Sequence, residues 1–205
     1  MTQSTVMAIT GDVGAGKSTV AKMFGALGGL WIDADRVVAE FWETPEMVAA
    51  AVERWGTAVL GESGHVLHKP VAERIFGNRG EYDWLTGLLH PRVMEEIRRR
   101  TETAGWSVVE IPLLFETGVP PWVTVTLFVT ASKERRAARC RKRGWDEAEM
   151  AKRESFFLPG EERMKRSDYV IRNEGDMAEL REAVKKVYAK AIKGSYMGGS
   201  FGGGV

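Results

Sequence analysis

Residues Ser4–Thr10 form an apolar, β-branched run bounded by Gly11, the pattern of a buried first strand. Lys17 to Leu27 reads as a helix ended by Gly28-Gly29, and Leu30–Ile32 as a short second strand. Helical stretches are predicted from Arg36 to Trp42, Glu46 to Trp55, Ala72 to Phe76 and Trp84 to Glu102. The last is interrupted at His90-Pro91, where Pro91 predicts a boundary or a kink. Trp106–Ile111, closed by Pro112, and Val123–Val129 read as the third and fourth strands. Lys133 to Arg143 is a basic helix stopped by Gly144. Asp146 caps another that runs to Phe157, and Pro159-Gly160 breaks it. Tyr169–Ile171 is a short fifth strand, followed by a helix from Asp176, its predicted N-cap, to Ile192.

Strands alternating with helices predict an α/β fold, a mostly parallel sheet covered by helices on both faces. The chain of 205 residues fits one such domain with mobile insertions. The Gly- and Ser-rich stretch from Gly194 to Val205 cannot bury enough apolar surface to offset its ordering entropy and reads as a flexible tail.

Composition narrows the function classes. The net charge of +1 gives no global cationic field for nucleic acid or an anionic membrane. The single cysteine, Cys140, excludes an intramolecular disulfide framework and suits a reducing compartment. The N-terminus lacks the basic region of a signal peptide, and no apolar run approaches the roughly 20 residues of a spanning helix. A cytoplasmic protein is the expectation.

The strongest chemical signal is Gly11-Asp12-Val13-Gly14-Ala15-Gly16-Lys17-Ser18, a complete Walker A pattern between a strand and a helix. Glycines let backbone N–H groups of Asp12, Val13, Gly14, Ala15 and Gly16 turn inward around phosphate without a Cβ clash, and the following helix, through Thr19, aims its positive end at the same point. Lys17 adds a point charge near the β- and γ-phosphates, and the Ser18 hydroxyl suits Mg²⁺. This loop alone predicts a nucleoside triphosphate with Mg²⁺, without separating a kinase from a GTPase or a motor.

Trp31-Ile32-Asp33-Ala34-Asp35 follows the first crossover. Ligands of open α/β sheets sit at the carboxyl ends of strands, so Asp33 is expected on the same edge as the loop, where a carboxylate can orient an acceptor hydroxyl and take its proton. Asp35, nearer the predicted helix start, is the expected cap.

This loop, the strand-end Asp-Ala-Asp, His90-Pro91, Glu110-Ile111-Pro112-Leu113-Leu114-Phe115-Glu116 and Asn173-Glu174-Gly175, taken in order, resemble dephospho-CoA kinase over about Val6 to Tyr188. The resemblance implies a three-layer α/β/α P-loop kinase fold with a five-stranded parallel sheet. It also implies transfer of the γ-phosphate of Mg-ATP to the ribose 3′-hydroxyl of dephospho-CoA, the last step of CoA synthesis. It makes Asp33 the base, with Lys17 beside it in catalysis, and places His90, Lys69 and Leu113 near the acceptor. Arg139 and Arg143 match the Arg-x-x-x-Arg spacing of a lid over ATP, and Asn173 lies in the loop beside the adenine. Glu110 stands where the family has Asp, suited to hold Mg²⁺ through water. A helical acceptor-binding insertion is expected at about residues 36–103 and a lid at about 139–165 of a domain spanning 1–193. No obligate protein partner is implied.

Other readings of single residues stay open. His90 also fits a hydrogen-bonded histidine at a helix boundary, and Leu113, Leu114 and Phe115 also fit core packing. Arg136, Arg139 and Arg143 share a helix face that also fits a solvated surface, and Arg98-Arg99-Arg100 reads as surface complementing a helix dipole. The sequence departs from the family at Lys69 (usually Arg), Phe157 (usually Gln) and Pro121-Trp122 (where the fourth strand usually leads with Asp). The alternatives are another small-molecule P-loop kinase, of the shikimate or nucleoside monophosphate type, and a nucleotide switch. The first lacks its Gly-rich triplet after strand three or its richer arginine set. A Ras-like switch lacks its Asn-Lys-x-Asp guanine motif.

Overall fold

A computed structural model describes residues 4–193, the side chain of Phe76 excepted. The tail expected at 194–205 lies outside the described residues. Five strands, β1 (Thr5–Gly11), β2 (Leu30–Asp33), β3 (Trp106–Glu110), β4 (Val125–Thr130) and β5 (Tyr169–Arg172), form one sheet in the order β2-β3-β1-β4-β5. The ladders of β1 with β3 and β4, and of β4 with β5, are parallel, with Met7 opposite Val108 and Ile9 opposite Leu127. Parallel strands need crossovers, and covering both faces requires the near-continuous apolar composition of β1, β3 and β4. The winding reverses beside β1, the switch point at whose carboxyl end such sheets bind ligands.

The chain divides into two compact units, Met1–Ile32 with Thr101–Val205, and Asp33–Arg100. The first contains α1 (Lys17–Ala26) and, beyond the inserted helices, α6 (Lys133–Arg141), α7 (Glu147–Glu154), α8 (Gly160–Arg166) and α9 (Met177–Tyr188), extended by a π turn at Ala189–Lys193. Its main core joins Met7, Ile9, Phe24, Trp106, Leu127, Val129, Ile171, Val184 and Ile192. Phe24 meets Trp106 edge to face, 6.4 Å between centroids, an arrangement favoured by the ring quadrupoles. As expected, Asp176 caps α9, its Oδ1 accepting from Ala178 N and Glu179 N.

The second unit holds α2 (Ala34–Trp42), α3 (Pro45–Trp55), a 3₁₀ turn at Thr57–Val59, α4 (His68–Gly77) and most of α5 (Arg79–Thr101). Thr44 caps α3 through Met47 N, with Pro45 pre-set for the first turn. Two features differ from the sequence expectation. Helix α5 begins at Arg79 and runs through Pro91 without a boundary. Buried Leu85, Leu89, Val93 and Ile97 recur every fourth residue on both sides of the proline, so a single apolar stripe holds the helix in register across the one missing hydrogen bond. The helix cap is also reassigned, because α2 starts at Ala34 with Asp33 as its N-cap, and Asp35 lies inside the first turn.

No helix among the described residues is long and apolar enough to cross a membrane.

Candidate active site

The phosphate loop joins β1 to α1. Gly16 is the N-cap of α1 at φ +97°, and a Cβ there would stand 2.6 Å from Asn173 Nδ2, so both the backbone conformation and the neighbour require glycine. Gly14, at φ +76°, rests on α6, where a Cβ would meet Arg136 O at 2.7 Å.

Every carbonyl of the loop from Gly11 to Ala15 accepts from a side chain that carries N–H donors. Lys17 Nζ donates to Gly11 O and Asp12 O, each at 3.0 Å. Arg136 Nη1 donates to Val13 O at 3.3 Å. Arg139 Nη1 donates to Gly14 O at 3.4 Å and Ala15 O at 3.1 Å, and Asn173 Nδ2 to Ala15 O at 2.8 Å. In a planar trans peptide the N–H points opposite the C=O. Of the N–H groups on these peptides, that of Asp12 donates to Val129 O and that of Ala15 to Asp12 O, while those of Val13, Gly14 and Gly16 lie opposite tied carbonyls at the positive end of α1, the arrangement that favours an anion.

Arg139 thus binds the loop itself, and its Nη2 donates to Asn173 O at 3.0 Å, tying α6 to the turn after β5. Burial, with the neighbouring Arg135 charge, holds the Arg139 guanidinium below its ordinary range, while Glu174 works the other way. Asn173 is buried at 7% exposure, and its N–H donates to Thr130 O. Helix α6 ends at Arg141, short of the expected Arg143; Arg143 sits in the following turn and is exposed, so the face expected to join residues 136, 139 and 143 holds only for the first two.

At the end of β3, Glu110 Oε2 accepts from Ser18 Oγ at 2.9 Å and Oε1 from Trp31 Nε1 at 3.2 Å. A hydroxyl beside a largely buried carboxylate is an oxygen donor set of the kind that hard cations take. Leu114 and Phe115 are core, whereas Leu113 is half-buried.

Asp33 ends β2, and its Oδ1 accepts from Asp35 N at 3.0 Å and Arg36 N at 3.4 Å. In the second unit, Lys69 lies exposed in the first turn of α4 and His90 is half-buried in α5, where burial lowers its pKa from the ordinary 6.5. His90 is therefore inside a helix rather than at a helix boundary.

Sequence reasoning passed over Arg163. Pro159-Gly160 marks a break in the sequence pattern, yet Glu161 and Glu162 followed by Arg163, Lys165 and Arg166 form the acidic-first, basic-last signature of a short helix. Glu116, the last residue of the segment after β3, accepts from Leu158 N through Oε1 at 2.8 Å.

A family model described as dephospho-CoA kinase matches residues 5–179. A curated dephospho-CoA kinase from Aquifex aeolicus is 33% identical over 189 residues, covering 90% of this chain and 96% of the relative. A Thermus thermophilus protein of known crystal structure is similar at a TM-score of 0.78 and 31% identity, over 92% of this chain and 98% of that one. The structure of dephospho-CoA kinase from Campylobacter jejuni matches in fold, at a TM-score of 0.61 and 20% identity over 93% of this chain and 99% of that one.

Proposed function

The chain belongs to the dephospho-CoA kinase family, and from that premise we propose that it transfers the γ-phosphoryl group of ATP to the ribose 3′-hydroxyl of dephospho-CoA, releasing ADP and CoA. The observation that carries the reading is the phosphate loop with every carbonyl from Gly11 to Ala15 tied back by Lys17, Arg136, Arg139, Asn173 or Arg163. Phosphoryl transfer asks little covalent chemistry of the protein and much positioning, so a cradle already set in place contributes directly to rate.

Each residue then has a task. The N–H groups of Val13, Gly14, Gly16, Lys17 and Ser18 hold the β- and γ-phosphates, those of Asp12, Ala15 and Thr19 being paired with Val129 O, Asp12 O and Gly16 O, and Lys17 offsets the phosphate charge. Arg139 and Asn173 fix the loop and border the nucleotide, with Arg143 brought in from the lid at about 139–165. Asp33 orients the acceptor hydroxyl and takes its proton as the new P–O bond forms and the bond to ADP breaks. Its carboxylate is supported in this role by its place at the carboxyl end of β2, the edge at which the loop ends β1. Mg²⁺ would be held by Ser18, and through water by Glu110, and supplies charge neutralisation on the phosphates when bound. Lys69, His90 and Leu113 are assigned to acceptor contacts, with residues 36–103 as the acceptor-binding insertion. Lys69 offers a point charge to a phosphate, without the bidentate fork of arginine.

Supplying Mg-ATP with dephospho-CoA, shikimate, AMP or no acceptor, and measuring ADP, tests the proposal. Turnover is expected only with dephospho-CoA. Equal ADP release without any acceptor would instead favour an ATPase or a switch.

A further inference from the structure

Arg163 has no task in the transfer described above except as one tie to Gly11, yet at 2% exposure it is the most deeply buried charged residue among the described residues. Its Nη2 donates to Asp12 Oδ1 at 2.9 Å, Nη1 to Gly11 O at 3.3 Å and Nε to Leu158 O at 3.0 Å. Glu116 Oε1 stands 3.9 Å from Nε, and Glu116 Oε2 is buried with no hydrogen-bond partner among the described residues. The rings of Phe128 and Phe157 flank the guanidinium at 5.2 and 4.8 Å. Asp12 Oδ2 in turn accepts from Thr130 Oγ1 at 2.6 Å.

One guanidinium therefore faces two carboxylates, and one of them, Asp12, is the second residue of the phosphate loop. A buried charge persists only when paired. Asp12 also conflicts with its surroundings. The loop's N–H groups, Lys17 and the end of α1 all attract an anion, whereas a carboxylate among them repels it. The guanidinium itself is buried, so screening by solvent is weaker than at the surface and the nearby counter-charge matters more.

We propose that Arg163 is a positioning residue for the phosphate loop. From α8 it cancels the charge of Asp12 and pins Gly11 and Asp12, so that the loop presents a net attractive field to a polyphosphate. The proposal rests on the reading of the loop as the ATP site. It assigns α8, a helix outside the loop, a direct part in nucleotide affinity, and the effect grows with the number of phosphates.

Calorimetric titration of ATP and ADP, each with Mg²⁺, into wild type, Arg163→Met, Asp12→Asn and the double variant tests this, with thermal unfolding recorded for each. In Arg163→Met the ATP affinity is expected to fall roughly tenfold to thirtyfold, the scale of one uncompensated charge at an effective dielectric near 20. ADP should lose less, and adding Asp12→Asn should restore most of the loss. A purely structural arginine would lower the melting temperature and weaken ATP and ADP by the same factor; that result, or ATP affinity unchanged in Arg163→Met, overturns the proposal. If Arg163→Met does not fold, Arg163→Lys decides. It keeps the charge and loses the planar fork, so its ATP-to-ADP affinity ratio should stay within about twofold of wild type; a larger shift counts against charge compensation. A wild-type chain that does not bind ATP overturns the loop reading as well, whereas binding without these differences overturns only the role of Arg163.

Discussion

Both units carry surface ion pairs, such as Arg153 with Glu149 and Lys185 with Glu182 in the first, but only the first converges several cations on one loop. In the first, Lys17, Arg136, Arg139 and Arg163 point inward and donate to main-chain carbonyls of one loop. In the second, arginines pair with carboxylates on or near the surface, as in Arg54 with Glu81, Arg79 with Asp83, Arg98 with Glu95 and Arg100 with Glu40 and Glu96. Pairs of that exposed kind add little stability. The second unit is instead held by its apolar stripes and by the edge-to-face contact of Trp55 with Trp84, 5.1 Å between centroids. The difference is one of precision. A loop that must meet a triphosphate has its backbone fixed by directional bonds, while the helical unit relies on non-directional burial.

The sharpest test of that contrast falls on Asp33, where the two units join in the chain. Asparagine caps a helix about as well as aspartate but cannot take a proton. Asp33→Asn should therefore keep its melting temperature and lose about 10²- to 10⁴-fold in kcat, while ATP still binds. Near-normal turnover would make this residue only a cap. Lys17→Ala should weaken ATP binding and turnover together, with a loss of about 10²-fold or more in kcat/KM, the scale for removing a preorganised group beside the transferred charge. Unaltered kinetics would contradict the loop assignment.

Next in size is a test of the second unit by itself. Ile97→Ala removes a fully buried branched side chain from the α5 stripe and should destabilise by about 2–5 kcal/mol in chemical denaturation. ATP affinity measured below the transition should hold, because the cradle belongs to the first unit. A parallel loss of ATP affinity would contradict the division of labour.

In the first unit, Asn173→Ala deletes one of two donors to Ala15 O and leaves Arg139 in place. An ordinary hydrogen bond is worth about 1 kcal/mol net, so KM for ATP should rise by about fivefold, with kcat changed less. No change in KM would mean that Arg139 alone fixes that carbonyl. The smallest effect concerns His90. Burial lowers its pKa from 6.5, so the unfolded chain binds the proton more readily than the folded one. Its contribution to stability is therefore complete above about pH 6.5 and falls as the pH drops below that value toward the folded pKa. His90→Gln should flatten the acid side of the stability profile, and an unchanged slope would remove the histidine from that account.

Much of the first unit was legible because its signals are local. The loop spacing, the strand runs and the Asp176 cap each lie within a few consecutive residues. The Asp33 cap was misassigned because one residue's shift in the helix start decides which aspartate reaches the free N–H groups, and boundaries are weakly encoded. Pro91 misled because its local effect was outweighed by a stripe of four buried residues that only the folded helix displays. Arg163 escaped notice for a different reason. Its partners Asp12 and Glu116 lie 151 and 47 positions away in the chain, and nothing in its neighbourhood announces a buried ion pair. The roles of Lys69, His90 and Leu113 rest on resemblance alone, since residue type and spacing do not single them out.

The resting place of Gly14 has an evolutionary consequence. The atom beneath it is the carbonyl oxygen of Arg136, a main-chain atom that every amino acid supplies. The steric demand for glycine is thus imposed by the path of α6, whatever side chain occupies that position. Descendants of this gene can change the side chain at position 136 and still inherit the constraint, and because the loop also holds Gly14 at φ +76°, a tilt of the helix alone would not lift it.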